Sequence, residues 1–363
     1  MNVLHISSEM AWRGGEQQLA YLIEGVSEDK MPHYVLCAEG SALHTYCKKN
    51  GIKHSTFSKG IIAQFSAANQ TKKICRAEKI DLIHIHDSHA HNIAILAADF
   101  YGNKCPLVLS RKVIFPISGN VFSRYKYNHK QIKKIICVSN AAREVLSRDL
   151  KDKSKLCVVY DAVAINSFAL AKGNSLREKY RINENELLIG NIAALTSEKD
   201  YPTFINTAEI LVRKGIQARF VIIGDGDQKP TLVKLVEDKK LSDKIIFYGF
   251  ANKVPALLKE LDLLLFTSKQ EGLGSIVLGA FAAGVPVVAT SAGGVPEIVK
   301  HDQTGLLAPV GDANQLAQHV MRIMESDQLK QELIKNAFSF VQDFSVENYT
   351  RRMMAVYEDV ISL

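Results

Sequence analysis

The stretch 268–284, SKQEGLGSIVLGAFAAG, sets one carboxylate, Glu271, beside Gly272 and Gly274, where an apolar run ends and a short apolar helix begins. A helix start offers unpaired N–H groups and a partial positive charge, and glycines let a ligand approach the backbone closely. The amides of Gly272, Leu273, Gly274, Ser275 and Ile276 therefore suit a diphosphate. Glu271 would repel that phosphate, but its acceptor oxygens suit hydroxyl groups next to it. A ligand that carries phosphate beside hydroxyls is a nucleotide sugar.

Two more glycine turns fall at strand ends, Gly14-Gly15 and Gly224-Gly226, and the three turns are expected to face one cleft. His86 closes the run DLIHIH at its carboxyl end and is the first candidate for a histidine in that cleft. His84 shares its face by the two-residue period and is expected deeper. His89 and His91 decorate a helix start without a ligand pattern, so no metal is expected.

The elements that must position these residues alternate along the chain. In the first half, VLHIS (3–7), HYVLCA (33–38), HSTFS (54–58), DLIHIH (81–86), PLVLS (106–110), KIICVS (134–139) and LCVVY (156–160) read as strands separated by helical segments. The second half repeats the plan with ELLIGNIAAL (186–195), RFVIIGDG (219–226), KIIFYGF (244–250), LDLLLFTS (261–268), VPVVAT (285–290) and GLLAPV (305–310). Runs this apolar predict parallel sheets buried on both faces. A helix over 201–214 is expected with Asp200 and Pro202 at its start, and two long helices over 313–341 and 346–361.

The polar stretch 166–186 marks a boundary. The expectation is an α/β chain of two doubly wound, Rossmann-like domains, 1–165 and 166–345, with a final helix over 346–363. Ligands of such sheets sit at the carboxyl ends of the strands.

A length of 363 residues with 47% hydrophobic and 23% charged side chains suits two ordinary cores. No run approaches a membrane span, and the N-terminus reads as a strand and not as a signal peptide. The six cysteines form no CxxC pair, and Cys37, Cys137 and Cys157 sit in strand runs; zinc and disulfide use are not expected, and the cytoplasm is the default. Charge is uneven. Residues 1–170 hold 23 Lys and Arg against 14 Asp and Glu, and 111–134 holds seven basic residues and no acid, with aromatics interleaved. That patch could meet an anionic membrane surface, a phosphate-bearing substrate or nucleic acid, or be a solvated basic face.

The run EGLGSIVLGAFAAGVPVVATSAGGVPEIV resembles the donor-binding core of glycosyltransferase family 4, of GT-B fold. The resemblance extends in order through RGGEQQ (13–18), HIHDSHAH (84–91), SEKDY (197–201), GDGDQ (224–228), YGF (248–250) and TGLLAPVGD (304–312). WRGGEQQ and SRKVIFP are similar to a subgroup that builds lipopolysaccharide and other cell-surface glycans. The resemblance implies retaining transfer from a nucleotide sugar to a glycan or lipid-linked acceptor, with no metal or other cofactor and no nucleic-acid partner. It further implies that Glu271 touches sugar hydroxyls, that Lys199 neutralises the diphosphate, that Gly14 and Gly15 let the N-terminal domain close over the donor, and that the last helix crosses back to that domain.

The sequence departs from this pattern twice. Members usually carry a second acid eight residues after Glu271, for the ribose hydroxyls, where this chain has Gly279. Many place a phosphate-binding arginine at Ala194; Arg111 or Lys112 are candidates to compensate, at positions where many members have a histidine. The alternatives are a nucleotide-sugar-binding protein that has lost catalysis, and a nucleotide-sugar epimerase. A dinucleotide enzyme is discounted, because SSEMAWRGGEQQ lacks the glycine spacing.

Overall fold

The apolar runs of the first half form, among the described residues, a seven-stranded parallel sheet: β1 (Val3–Ser7), β2 (His33–Ala38), β3 (His54–Phe57), β4 (Leu82–Ile85), β5 (Leu107–Arg111), β6 (Ile132–Cys137) and β7 (Leu156–Val158), in the order β3-β2-β1-β4-β5-β6-β7. Those of the second half form a six-stranded parallel sheet: β8 (Leu187–Ile192), β9 (Ala218–Ile223), β10 (Ile245–Gly249), β11 (Leu263–Phe266), β12 (Val287–Thr290) and β13 (Leu306–Ala308), in the order β10-β9-β8-β11-β12-β13. Each sheet runs outward from its first strand and then reverses, which is the doubly wound Rossmann plan, with a switch point between its first and fourth strands. This computed structural model describes residues 1–26, 31–117, 119–173 and 176–362.

The chain divides into two units. One holds Met1–Ala162 with the helix Val346–Ser362, and the other Val163–Ser345. The chain enters and leaves the second unit at adjacent points, because the Val163 amide donates to the Phe344 carbonyl at 2.9 Å. Asn174 and Ser175 of the polar boundary stretch, and Ser118 of the basic stretch, lie outside the described residues.

The helix Val346–Ser362 places Tyr349, Met353, Tyr357 and Val360 in one core with Val3, Leu22, Val108 and Ile136 of the first unit. In the second unit the core gathers Ile189, Phe220, Leu263 and Leu265 of the sheet with Phe204, Leu316 and Val320 of the covering helices.

Two expectations need correction. The single helix over 313–341 is two, Ala313–Met324 and Asp327–Val341, because the Ser326 side chain accepts from the Leu329 amide and starts a new helix. Asp200 stands before the helix Tyr201–Arg213 with a left-handed backbone, and its carboxylate caps no amide; it accepts from the Thr203 hydroxyl instead. No helix among the described residues is long and apolar enough to cross a membrane.

Candidate active site

In the second unit the switch point lies between β8 and β11, which pair through Leu263 with Ile189 and Leu264 with Gly190. The segments that follow these two strands carry Lys199 and Glu271. They are stitched together by backbone: the Lys269 amide donates to the Glu198 carbonyl at 2.8 Å, and the Thr267 hydroxyl donates to the Lys199 carbonyl at 3.2 Å. Residues 72 apart in sequence thus meet, and the Lys199 ammonium donates to Glu271 Oε2. The Ser268 hydroxyl donates to the same oxygen at 3.2 Å, and the Phe266 ring lies 5.8 Å beneath the ammonium. The pair is only partly screened, with side-chain exposures of 23% for Lys199 and 14% for Glu271.

Glu271 leads through Gly272, Leu273 and Gly274 into the helix Ser275–Ala283. Gly274 has φ 91°, a left-handed backbone that disfavours other residues, and a Cβ there would lie 3.3 Å from the Phe266 ring. The half-exposed Ser275 and Ile276 belong to the first turn, whose amides have no carbonyl four residues back within the helix. An ammonium, first-turn amides and a carboxylate therefore adjoin, and such a group can hold an anion and accept hydroxyls together.

Gly279 leaves space that a bulky neighbour fills. A Cβ on it would stand 2.8 Å from the Phe168 ring and 3.2 Å from Leu258 Cδ1, so the helix Ile165–Ala169 seats an aromatic ring where a side chain would project. Gly224 and Gly226 answer a comparable need. A Cβ on Gly224 would lie 1.9 Å from the Ala193 carbonyl oxygen, and one on Gly226 2.5 Å from that of Leu195. Their first duty is to let the turn after β9 press on the backbone that leads to Lys199. Ala194 itself is exposed.

The first unit has the equivalent switch point between β1 and β4. Gly14 and Gly15 follow β1 at the head of the helix Gly14–Gly25; Gly14 is exposed, and a Cβ on Gly15 would come within 3.9 Å of Lys112 Cδ. Glu16, which the sequence did not single out, is buried beneath them. It accepts from the Ser7 hydroxyl at 3.1 Å and the Arg13 amide at 3.2 Å, and burial pushes its carboxyl up. Lys112 and Arg111 are both committed within this unit. The Lys112 ammonium pairs with Asp161 at 2.5 Å, and Arg111 donates to the Tyr127 hydroxyl at 2.7 Å and to the Phe115 carbonyl.

His86 follows β4 directly but does not stand free. It is buried in a cluster of imidazoles, with its Nε2 3.1 Å from His5 Nδ1. His5 Nε2 in turn meets His33 Nδ1 at 2.9 Å. His84 is fully buried, as its face required, between the Tyr357 hydroxyl at 2.6 Å and the Ser110 hydroxyl at 2.8 Å. Burial, then the neighbouring imidazoles and Lys112, hold His5, His84 and His86 well below the usual imidazole range. Ring nitrogens of these three lie within 4.8 Å of one another, the spacing of a candidate ligand set. Both nitrogens of His84 are already hydrogen-bonded, so a hydrogen-bonded core network accounts for this residue. His89 and His91 take no part in the trio; His91 is buried against the Lys126 carbonyl at 3.2 Å. The signal for the cluster was the histidine in VLHIS, which becomes meaningful only once β1 pairs with β4 and sets His5 beside His84.

Comparisons with known proteins bear on the family and the fold. A family model described as glycosyl transferases group 1 matches residues 173–340, and one described as Glycosyltransferase Family 4 matches residues 12–166. The chain is 30% identical over 279 residues to the alpha-D-kanosaminyltransferase of Streptomyces kanamyceticus, covering 69% of this chain and 70% of that one. It is 23% identical over 302 residues to the UDP-Gal:alpha-D-GlcNAc-diphosphoundecaprenol alpha-1,3-galactosyltransferase of Escherichia coli, covering 80% and 78%. Among solved structures, the Anabaena HepE protein in complex with UDP and glucose superposes with a TM-score of 0.86 at 21% identity, over 98% of this chain and 99% of that one.

Proposed function

The chain belongs to glycosyltransferase family 4 and is a glycosyltransferase of GT-B fold, and from that premise we propose that it is a retaining enzyme. It moves a hexosyl group from a nucleotide sugar to a cell-surface glycan or lipid-linked acceptor, at the inner face of an envelope membrane. Lipopolysaccharide is the acceptor class that the N-terminal motifs favour. The observation that carries the donor site is the contact between Lys199 and Glu271 beside the start of the helix Ser275–Ala283.

A bound diphosphate offers the Lys199 ammonium a second anionic partner. That releases Glu271 oxygens to accept hydroxyls of the sugar, while the first-turn amides receive the phosphate. As the bond between the sugar's anomeric carbon and the phosphate oxygen breaks, negative charge grows on the leaving diphosphate. Lys199 and the amides are already aimed at that charge, so they stabilise the transition state more than the ground state. The acceptor hydroxyl attacks the same face of the anomeric carbon, and its proton passes to the departing phosphate oxygen. No protein nucleophile is required, and neither is a metal ion, because fixed positive groups do that work.

The E. coli relative's name carries a UDP-sugar donor and a diphosphoundecaprenol acceptor, which makes UDP-hexoses and polyprenyl diphosphate sugars the first substrates to try. A thermal-shift screen over UDP-, GDP-, ADP- and CMP-sugars tests the donor, because a ligand of the folded state raises the melting temperature by mass action. A chain that no nucleotide sugar stabilises would sink the reading. Gly279 packed under Phe168 motivates the second reading, a binding protein without turnover. It is separated by stabilisation from a nucleotide sugar with no transfer to any acceptor offered.

A further inference from the structure

Three successive helices of the first unit leave large apolar side chains uncovered. On the helix Ile61–Ala77, Ile61 and Ile62 are 82% and 87% exposed, and Phe65 lies one turn on, along the same face. The Phe65 ring meets that of Phe100, 69% exposed near the end of the helix Ser88–Tyr101, at 5.9 Å between centroids. The neighbour of Phe100, Asp99, accepts from the Tyr125 hydroxyl at 3.0 Å. Tyr125 belongs to the helix Val121–Tyr127, where Val121, 84% exposed, and Phe122 lie one turn before it. These contacts and spacings set the side chains along one ridge, in which the Asp99 carboxylate joins the Phe65–Phe100 pair to Tyr125.

The charge around the ridge is predominantly positive. Residues 59–77 and 100–134 contain no acid, and Lys59, Lys73, Lys104, Arg124 and Lys130 are exposed there. The single acid of the ridge, Asp99, is also held by His129 at 3.2 Å.

We propose that this ridge is a docking surface for an anionic lipid bilayer. The exposed side chains enter the boundary between headgroups and acyl chains, and the surrounding cations meet lipid phosphates. A predominantly positive field fits a surface of uniform opposite charge. A second copy of this chain would bring the same cations against themselves, which like-charge repulsion disfavours. The inference is independent of the donor site, since none of these residues belongs to it.

The test uses the full chain in co-sedimentation with vesicles of phosphatidylcholine alone and of phosphatidylcholine mixed with phosphatidylglycerol. The wild type is expected to bind the mixed vesicles, to ignore the neutral ones, and to be released by salt. The combined variant Ile62→Ser, Phe100→Ser, Val121→Ser is expected to lose on the order of tenfold in partitioning at an unchanged melting temperature and unchanged stabilisation by a UDP-hexose. If the variant melts lower, Lys73→Glu with Arg124→Glu, which leaves the apolar ridge intact, must show the same loss. Wild-type protein that stays in solution with anionic vesicles overturns the proposal, as do variants that partition like wild type. A concentration-dependent dimer that the apolar variant abolishes, without vesicle binding, assigns the ridge to a second copy and also overturns it.

Discussion

Lys199 and Glu271 are oppositely charged, partly buried and in contact, and each makes the other's position tenable. Removing either leaves an uncompensated charge beside a helix start. Glu271→Ala is expected to lower transfer by about 10²–10³-fold while circular dichroism keeps the wild-type spectrum, with the second unit melting somewhat lower because Lys199 loses its partner. Near-normal turnover in that variant would remove Glu271 from the mechanism. Lys199→Ala is expected to cost on the order of 10²-fold in kcat and to weaken the free nucleoside diphosphate as a competitive inhibitor, because the proposed mechanism sets the ammonium against the phosphate. Glu271→Ala should leave that inhibition largely intact, since the proposed mechanism assigns its oxygens to the sugar. The proposed chemistry uses these fixed charges, so dialysis against EDTA should not change the rate. A rate that collapses on chelation and returns with a divalent cation would argue for metal-assisted departure instead.

The helix Ser275–Ala283 is the element on which the site hangs. Gly274 and Gly284, both in the left-handed region, bracket it, and all its residues from Val277 to Ala283 are buried. Its start carries the half-buried Ser275 and Ile276, and its middle receives Phe168. The close approach at Gly279 makes the register of that helix depend on a ring from a short helix more than a hundred residues earlier in the chain. Gly279→Ala would ordinarily gain about 0.5–1 kcal/mol of helix propensity, but here overpacking against Phe168 should cost about 1–3 kcal/mol, so a net loss is expected in denaturant unfolding. Phe168→Leu should relieve the cost when the two substitutions are combined. Additive penalties would mean that the ring is not what excludes the side chain.

At the scale of the whole molecule, the first unit carries an acid-sensitive core. Burial holds His33 down to about 4 and His91 to about 3, and holds His5, His84 and His86 well below their ordinary 6.5. Folded, these imidazoles stay neutral as the pH falls through 6.5, whereas the unfolded chain takes up protons there. Stability is therefore fully present above about 6.5 and is lost progressively as the pH falls toward 4. The groups that face the cluster are Tyr357 and Ser110, by hydrogen bond, and Lys112, whose charge adds to the burial effect. Calorimetry should show the first unit's melting temperature falling steeply from pH 6.5 to 4, and His33→Leu should flatten the slope by one group's worth. An unchanged slope would mean that the imidazoles are not the groups taking up protons.

By itself the sequence determined most of the elements and half of the candidate site. The apolar, β-branched runs specify parallel strands because a strand buried on both faces has no polar alternative. Glu271 with Gly272 and Gly274 was legible because the chemistry lies within a few consecutive residues. What the tertiary structure decided involves partners distant in the chain. Sheet order brought Lys199 onto Glu271 and His5 onto His84 and His86, and packing put Phe168 over Gly279. It also committed Lys112 to Asp161 and Arg111 to Tyr127, the two cations that were candidates to compensate for the arginine missing at Ala194. The physical reason is that spacing along the chain encodes which face a side chain takes within its own element. Which face it meets depends on strand order and close packing, and those are settled only when the whole core is assembled.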